Sequence, residues 1–259
     1  MVSQSQDGRC PQAPIPKESL VRLLKTMLFL VSVLLLLSAS AFPQQEYVGK
    51  YDAFGGYSFL NTPKLNLFEN GFNGQFGVNV RRWLSLGGDF SVFSGSSNLY
   101  PNMLSTSKQQ QLGEVLMTPP PAGLAGLIPP GYVIFAPYDT TTYTFTAGPQ
   151  FNYRHFDAVT FFIHPSIGGL HQSATAKPTD PIQTAIVQGL LGPSMKKSDL
   201  VVFWGIGGGF DVNVAKHMSV RFFTDIVHTN LFSGLLNGGE NNFRFSVGPA
   251  FHWGKNVEK

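Results

Sequence analysis

Thiols are almost absent: the 259 residues contain one cysteine, Cys10, and it lies ahead of the first apolar run. Everything downstream is cysteine-free, which excludes a disulfide framework, a thiolate metal site and a catalytic thiol. Cys10 also cannot be the lipid-bearing cysteine of a lipoprotein, which would have to follow the apolar run. Long apolar runs are scarce as well. The one candidate, Met27 to Leu37, is shorter than the ~20 residues a transmembrane helix needs. Charge is sparse too, at 13% Asp, Glu, Lys and Arg, against roughly 25% in soluble domains. A chain so poor in charge has either a small surface or one that does not face water.

What is present begins with an export signal. Arg22 and Lys25 precede the apolar run, and Ala39 and Ala41 follow in A-x-A spacing, the pattern of a secretory signal peptide over residues 1–41. Residues 1–20 do not belong to such a signal. We expect initiation at Val21, a hypothesis that recovery of Ser3 to Gln12 in the precursor's N-terminal sequence would refute. Removal of residues 1–41 leaves 14 basic against 13 acidic side chains. That near-balance gives no electrostatic ground for nucleic-acid binding.

The remainder is rich in Phe, with 23, and in Gly, with 28. Eight segments alternate apolar with polar or small residues, the period-2 signature of strands with two unlike faces. They are Tyr51 to Leu60, Gly71 to Val80, Leu84 to Phe93, Tyr143 to Tyr153, Thr160 to His171, Val201 to Asn213, Ser219 to Thr229 and Asn242 to Trp253. Each is near the ~9 to 11 residues of a tilted strand that crosses a bilayer. The connections alternate short and long, the long ones being loops 95–142 and 172–200. Tight turns on the periplasmic side and larger loops outside are the asymmetry of outer-membrane barrels. The expected fold is therefore all-β: an eight-stranded antiparallel up-and-down transmembrane β-barrel over residues 42–254, with a short tail at 255–259. Loop 95–142, rich in Pro, Gln and Thr, is expected to be irregular and mobile. Tyr132 to Tyr138 could extend the fourth strand, and ten strands is the alternative count.

The last segment sets Phe243, Phe245, Val247, Pro249, Phe251 and Trp253 against Arg244, Ser246, Gly248, Ala250 and His252. An eight-stranded interior is just wide enough to be filled by side chains. The bulky aromatic face therefore suits lipid, and the small and polar face suits the lumen. Carried through the chain, that phase puts Asp52, Asp89, Asp211 and Asp225 inside beside Arg81, Arg154, Arg221 and Arg244. Buried charge is tolerated when paired and hydrogen-bonded, so the balance of four and four predicts a salt-bridge network that plugs the lumen. The competing reading of the same residues is a polar conduction path. Trp83, Tyr153, Phe251 and Trp253 fall at periplasmic strand ends, as an interfacial aromatic girdle requires.

Ser246 to Trp253 follows the order polar, any, Gly, any, any, hydrophobic, any, aromatic. It resembles the assembly signal in the final strand of outer-membrane barrels, with Ser246, Gly248, Phe251 and Trp253 at the marked positions. With the opening Phe54 to Leu60, the chain from about residue 47 to 254 is similar to the OmpA-like and OmpX-like small barrels of the porin family. That resemblance implies insertion by the barrel-assembly machinery, a lipid bilayer as partner and residence in the outer membrane. GKNVEK after Trp253 departs from the family's usual terminal aromatic, and the peptidoglycan binding of longer relatives is not expected here.

Other chemistry is thinly represented. Gly205, Gly207, Gly208 and Gly209 lack the following helix that a phosphate-binding loop needs, and read better as lumen-facing glycines that make room in a narrow barrel. The six histidines form no H-E-x-x-H or close ligand set, so neither a metal nor another cofactor is expected. An outer-leaflet lipid hydrolase would draw on His171 with Ser173, or on His228, but no nucleophile motif fixes either. The expected function is non-catalytic: a structural or surface-interaction barrel that contributes to envelope integrity and meets outer-leaflet lipid or extracellular ligands through its loops. A narrow pore for small solutes is the alternative.

Overall fold

The computed structural model describes residues 47–120 and 123–257. The expected signal peptide, its start and Cys10 lie outside the described residues. Eight strands close into one barrel in sequence order: β1 (Gly49–Thr62), β2 (Leu67–Arg81), β3 (Leu84–Leu99), β4 (Ala136–Tyr153), β5 (Val159–Ala176), β6 (Lys196–Ala215), β7 (Met218–Thr229) and β8 (Glu240–Asn256). Every pairing is antiparallel, and β8 pairs with β1 to close the ring. The count is eight.

Alternation sets the two faces. Phe72, Phe145, Ile167, Val202 and Trp204 point outward and are exposed, Val202 by 78%. Their chain neighbours Asn73, Thr144, Thr146 and Phe203 are buried inside. An outer surface this apolar has no counterpart on a water-soluble barrel and matches a lipid-facing band. Trp83, Tyr153, Phe251 and Trp253 are all exposed on the outside at the tight-turn end. Trp83 stacks on Phe151, and Trp253 lies against Tyr51 and Phe76.

The strands overrun the expected segments, chiefly at the long-loop end. β6 has 20 residues and β4 and β5 have 18 each. Loop 95–142 is correspondingly shorter than expected, because β3 continues to Leu99 and β4 begins at Ala136 in full register with it. It is not irregular throughout either: helix α1 (Thr106–Met117) occupies its first half. Leu112, Val115 and Leu116, at helical spacing, put one face of α1 into an apolar cluster.

The second long connection forms helix α2 (Pro181–Leu191). Asp180 caps it by accepting from Gln183 N at 2.8 Å, Pro181 occupies the first turn, and Gly192 ends it at φ +82°. The expected tail is also partly strand, since β8 runs through Asn256. Val48 N donates to Asn256 Oδ1 at 2.8 Å and Val257 N to Val48 O at 2.9 Å, which holds the extension on β1.

Candidate functional site

The lumen is built in levels, beginning at the tight-turn end. Arg221 on β7 is 2% exposed and uses all five of its N–H donors. Nε and Nη2 donate to Asp211 at 2.7 and 2.8 Å, Nη1 and Nη2 to Asp52 at 3.0 and 3.1 Å, and Nη1 also to Gln75 at 3.0 Å. Asp211 is the direct cross-strand neighbour of Arg221, whereas Asp52 reaches it from β1. His252 joins this cluster through Nδ1, 2.9 Å from Asp52 Oδ2. The polar phase of β8 placed His252 inward, but no spacing rule identified its partner.

One level further in, Arg244 on β8 repeats the arrangement. Its Nε lies 2.6 Å from Asp225 Oδ2, and Nη1 and Nη2 lie 2.5 and 3.1 Å from the two oxygens of Asp89. Ser91 accepts at 2.9 Å, while Asn73 and Thr146 also donate to Asp89. The interior is not purely polar, contrary to the expectation from the faces. Phe162 lies under the Arg221 guanidinium at 5.1 Å and Phe223 under that of Arg244 at 5.4 Å, both cation–π contacts.

Six of the eight expected lumen charges thus meet in two clusters, and two do not. Arg81 is exposed, because the register of β2 against β3 shifts between Asn79 and Arg81 and turns its side chain out of the inward phase. Arg154 lies just beyond β4, where Nε donates to Arg82 O at 3.0 Å and Nη2 to Asn79 Oδ1 at 3.4 Å. It is half-buried within electrostatic reach of Asp211 and Asp52 but hydrogen-bonds to the turn instead of joining either cluster.

The glycines of β6 explain how the middle cluster fits. A Cβ on Gly207 would lie 1.7 Å from Asp225 Oδ1, and one on Gly209 would lie 2.0 Å from Phe222 O. Gly205 and Gly207 are buried on the inner face. Gly208 differs from the expectation: it shares the outward phase of Ile206 and Phe210, because consecutive strand residues point to opposite faces. Gly248 performs a similar task at the closing seam, where a Cβ would meet Gly55 O and Gly56 Cα at 2.5 Å. Ser246 Oγ lies 2.7 Å from Ser58 Oγ across the same seam.

Glu69, unremarked in the sequence, is fully buried above the charged levels. Its carboxylate accepts from Thr140 at 2.6 Å, Thr142 at 2.9 Å and Gln172 at 3.3 Å. Leu60, Leu170, Phe203 and Val227 make the lumen apolar at this height. The mouth is then closed by an apolar cluster in which Leu112 of α1 and Ile186 of α2 meet Leu67, Phe232 and Leu236. Backbone bonds hold this cap across the mouth: Ser105 N donates to Leu235 O at 2.8 Å, and Leu104 bridges to Leu236. Lys108 and Gln111 of α1 donate to the Leu190 and Gly189 carbonyls near the C-terminus of α2. Within the cap lies a small apolar cavity of about 70 Å³, lined by Leu65, Leu104, Leu112, Ile186 and Leu236 among others.

The histidines weighed for hydrolysis are not assembled into a triad. His171 is exposed on the outer face and stacks on Tyr143, while Ser173 pairs with Ser198. His228 pairs with Asn241 and faces Trp204. Among the described residues no group of three or more His, Cys, Asp and Glu is placed to hold a metal ion.

An antiparallel ring with aromatics outside, paired charges inside, tight turns at one end and long loops at the other is a transmembrane β-barrel of the outer-membrane type. The sequence matches the outer membrane protein beta-barrel domain over residues 29–251, and the chain belongs to that family. Comparison with curated proteins gave no significant match. Similar solved structures include the outer membrane protein OprG from Pseudomonas aeruginosa, with 8% identity, TM-score 0.48, and 82% of this chain and 100% of that one covered. Neisserial surface protein A is similar at 11% identity and TM-score 0.45, covering 78% and 96%. The attachment invasion locus protein Ail of Yersinia pestis, in complex with a heparin analogue, is similar at 14% and 0.43, covering 80% and 99%. At these values the likeness describes barrel shape and assigns no ligand.

Proposed function

We propose that this protein is a closed, non-catalytic barrel that strengthens the outer membrane and presents its capped mouth for binding, and that it does not conduct solutes. The observation that carries this reading is the double blockage of the lumen. Two arginines, Arg221 with all five N–H donors engaged and Arg244 with four, cross it at successive levels, and an apolar cluster seals the mouth above them. A conducting path would need a continuous wet bore, and eight strands leave little room for one.

Export by the signal peptide and insertion through the β8 pattern belong to the same reading. Gly248 supports it, because the close approach of β1 there admits no side chain. In a planar bilayer the purified protein is expected to show no discrete conductance steps. Steps in the unmodified protein would replace this reading with the pore, and release of fatty acid from phospholipid, lost in His228→Ala, would replace it with the hydrolase.

A further inference from the structure

Charge is divided unevenly between the two ends of the barrel. At the tight-turn end, residues 47–51, 80–84, 152–160, 213–219 and 252–257 carry Lys50, Arg81, Arg82, Arg154, Lys216 and Lys255 against one carboxylate, Asp157. Counting Glu46, Glu258 and Lys259 from the sequence alone leaves seven basic side chains against three acidic ones. At the long-loop end, residues 61–66, 95–142, 172–200 and 230–241 hold five of each sign, and Lys177 there pairs with Asp139. Lys50, Arg81, Lys216 and Lys255 are exposed, and among the described residues none of the four has a carboxylate partner. Like charges gathered on one rim repel, so an anion from outside the chain would stabilise them.

The depth of these cations narrows the choice of anion. Arg81 and Arg82 directly precede Trp83, Arg154 follows Tyr153, and Lys255 lies two residues past Trp253. Lys50 Nζ is 5.9 Å from the centroid of the Tyr51 ring, and Lys216 Nζ is 5.0 Å from that of Tyr47. Tyr47 is itself held in place, donating to Gly254 O at 2.6 Å and meeting the His217 ring edge-on. At about 3.3 Å of rise per strand residue, each cation falls within about 7 Å of a rim aromatic. Interfacial Trp and Tyr rings sit at head-group level, so the cations lie at the depth of lipid phosphates. That placement favours a head group over an anion dissolved in the periplasm.

We propose that the tight-turn rim selects phospholipids with a net negative head group from the leaflet around it, their phosphates set against Lys50, Arg81, Lys216 and Lys255. A zwitterionic lipid brings its own cation to the same depth and gains little, so the rim reads head-group charge. This surface lies at the opposite end from the capped mouth, and it holds whether or not the lumen conducts.

The three tryptophans supply the test. Trp83 and Trp253 lie at the rim, whereas Trp204 precedes Ala215, the end of β6, by eleven residues. That is about the length of a bilayer-crossing strand, so Trp204 reports the other interface. The whole protein is reconstituted into mixed vesicles of phosphatidylglycerol and phosphatidylcholine, one or the other with brominated chains, as Trp204→Phe in one sample and as Trp83→Phe with Trp253→Phe in a second. Quenching by each brominated lipid gives its relative affinity at each end. In low salt phosphatidylglycerol should be favoured about three- to fivefold at the rim, with no preference at Trp204. In about 1 M salt, where screening acts within about 3 Å, the rim preference should vanish. Arg81→Gln, Lys216→Gln and Lys255→Gln combined should bring the rim to the Trp204 value. If that variant loses the heat-modifiable gel mobility of a folded barrel, Lys216→Gln with Lys255→Gln takes its place and should at least halve the preference. No rim preference in low salt overturns the proposal. So does equal preference at both ends, a preference that salt leaves unchanged, or full preference in a folded neutralised variant. No rim preference together with salt-sensitive co-sedimentation with peptidoglycan would assign the cations to the cell wall instead.

Discussion

The two ends of the lumen are closed by opposite chemistry. Toward the tight turns, closure is electrostatic and supplied by strands, with Arg221 and Arg244 each clasped by two carboxylates. Toward the long loops it is apolar and supplied by two helices and the β7–β8 connection. The difference follows from what each part of the chain can do. A strand in a closed ring has its register fixed on both sides, so an inward charge is delivered to one position and its partner can be placed opposite it. Asp211 and Arg221 are such a pair, as are Asp225 and Arg244. A loop has no register, and non-directional apolar burial is the contact that tolerates that freedom.

The sharpest way to break this contrast is to remove one arginine. Arg221→Met leaves Asp52 and Asp211 buried without their cation, and loss of one partner from a buried pair costs about 3–5 kcal/mol. The expected result is a large fall in the urea midpoint, followed by the heat-modifiable gel shift. Adding Asp52→Asn and Asp211→Asn should restore a substantial part of the loss, because the cost lies in uncompensated charge. If Arg221→Met unfolds no more readily than the unmodified barrel, the lower closure is not electrostatic.

How far each region could be read in advance follows the same division. The strand faces and the inward positions of Asp52, Asp89, Asp211, Asp225, Arg221 and Arg244 were legible because period-2 alternation needs no tertiary information. Arg81 failed through the register shift after Asn79, which alternation alone cannot detect. Glu69 precedes the clear alternation that begins at Gly71, although its phase matches Asn73 and Gln75. The cap was the least legible part. Its helices are short and the Pro, Gln and Thr content of loop 95–142 dominated the reading, even though Asp180, Pro181 and Gln183 carry a helix-start signal and Ile182, Ile186 and Leu190 recur at helical spacing.

A second prediction asks whether the two closures are independent. Leu112 is buried in the cap cluster, and truncation of a buried leucine to alanine costs about 2–5 kcal/mol. Because Leu112 lies on a loop helix outside the strands, Leu112→Ala should loosen the cap without unfolding the barrel. Limited proteolysis within residues 106–117 should accelerate at least tenfold while the urea midpoint stays in place. A midpoint that drops together with the proteolytic protection would show that cap and barrel unfold as one unit, and the contrast between the two ends would then concern chemistry alone.

The smallest expected effect tests the cap through the charged residue that caps α2. Asp180 accepts from the Gln183 N–H and from the Tyr132 hydroxyl at 2.8 Å. These bonds, the backbone one foremost, hold its carboxyl below the usual aspartate value. A group depressed in the folded state contributes fully above its unfolded pKa, and the contribution fades as pH falls through the lowered value. Amide exchange across 181–191, corrected for intrinsic rate, should therefore be pH-independent near neutrality and rise below about pH 4. Asp180→Asn keeps a capping oxygen without the charge, so it should abolish that acid-dependent rise while retaining most of the neutral-pH protection. Asp180→Ala removes the oxygen and should raise exchange at every pH. An acid-dependent rise that persists in Asp180→Asn would place the titrating group elsewhere, and the cap would then rest on apolar contact with no electrostatic share from its helix end.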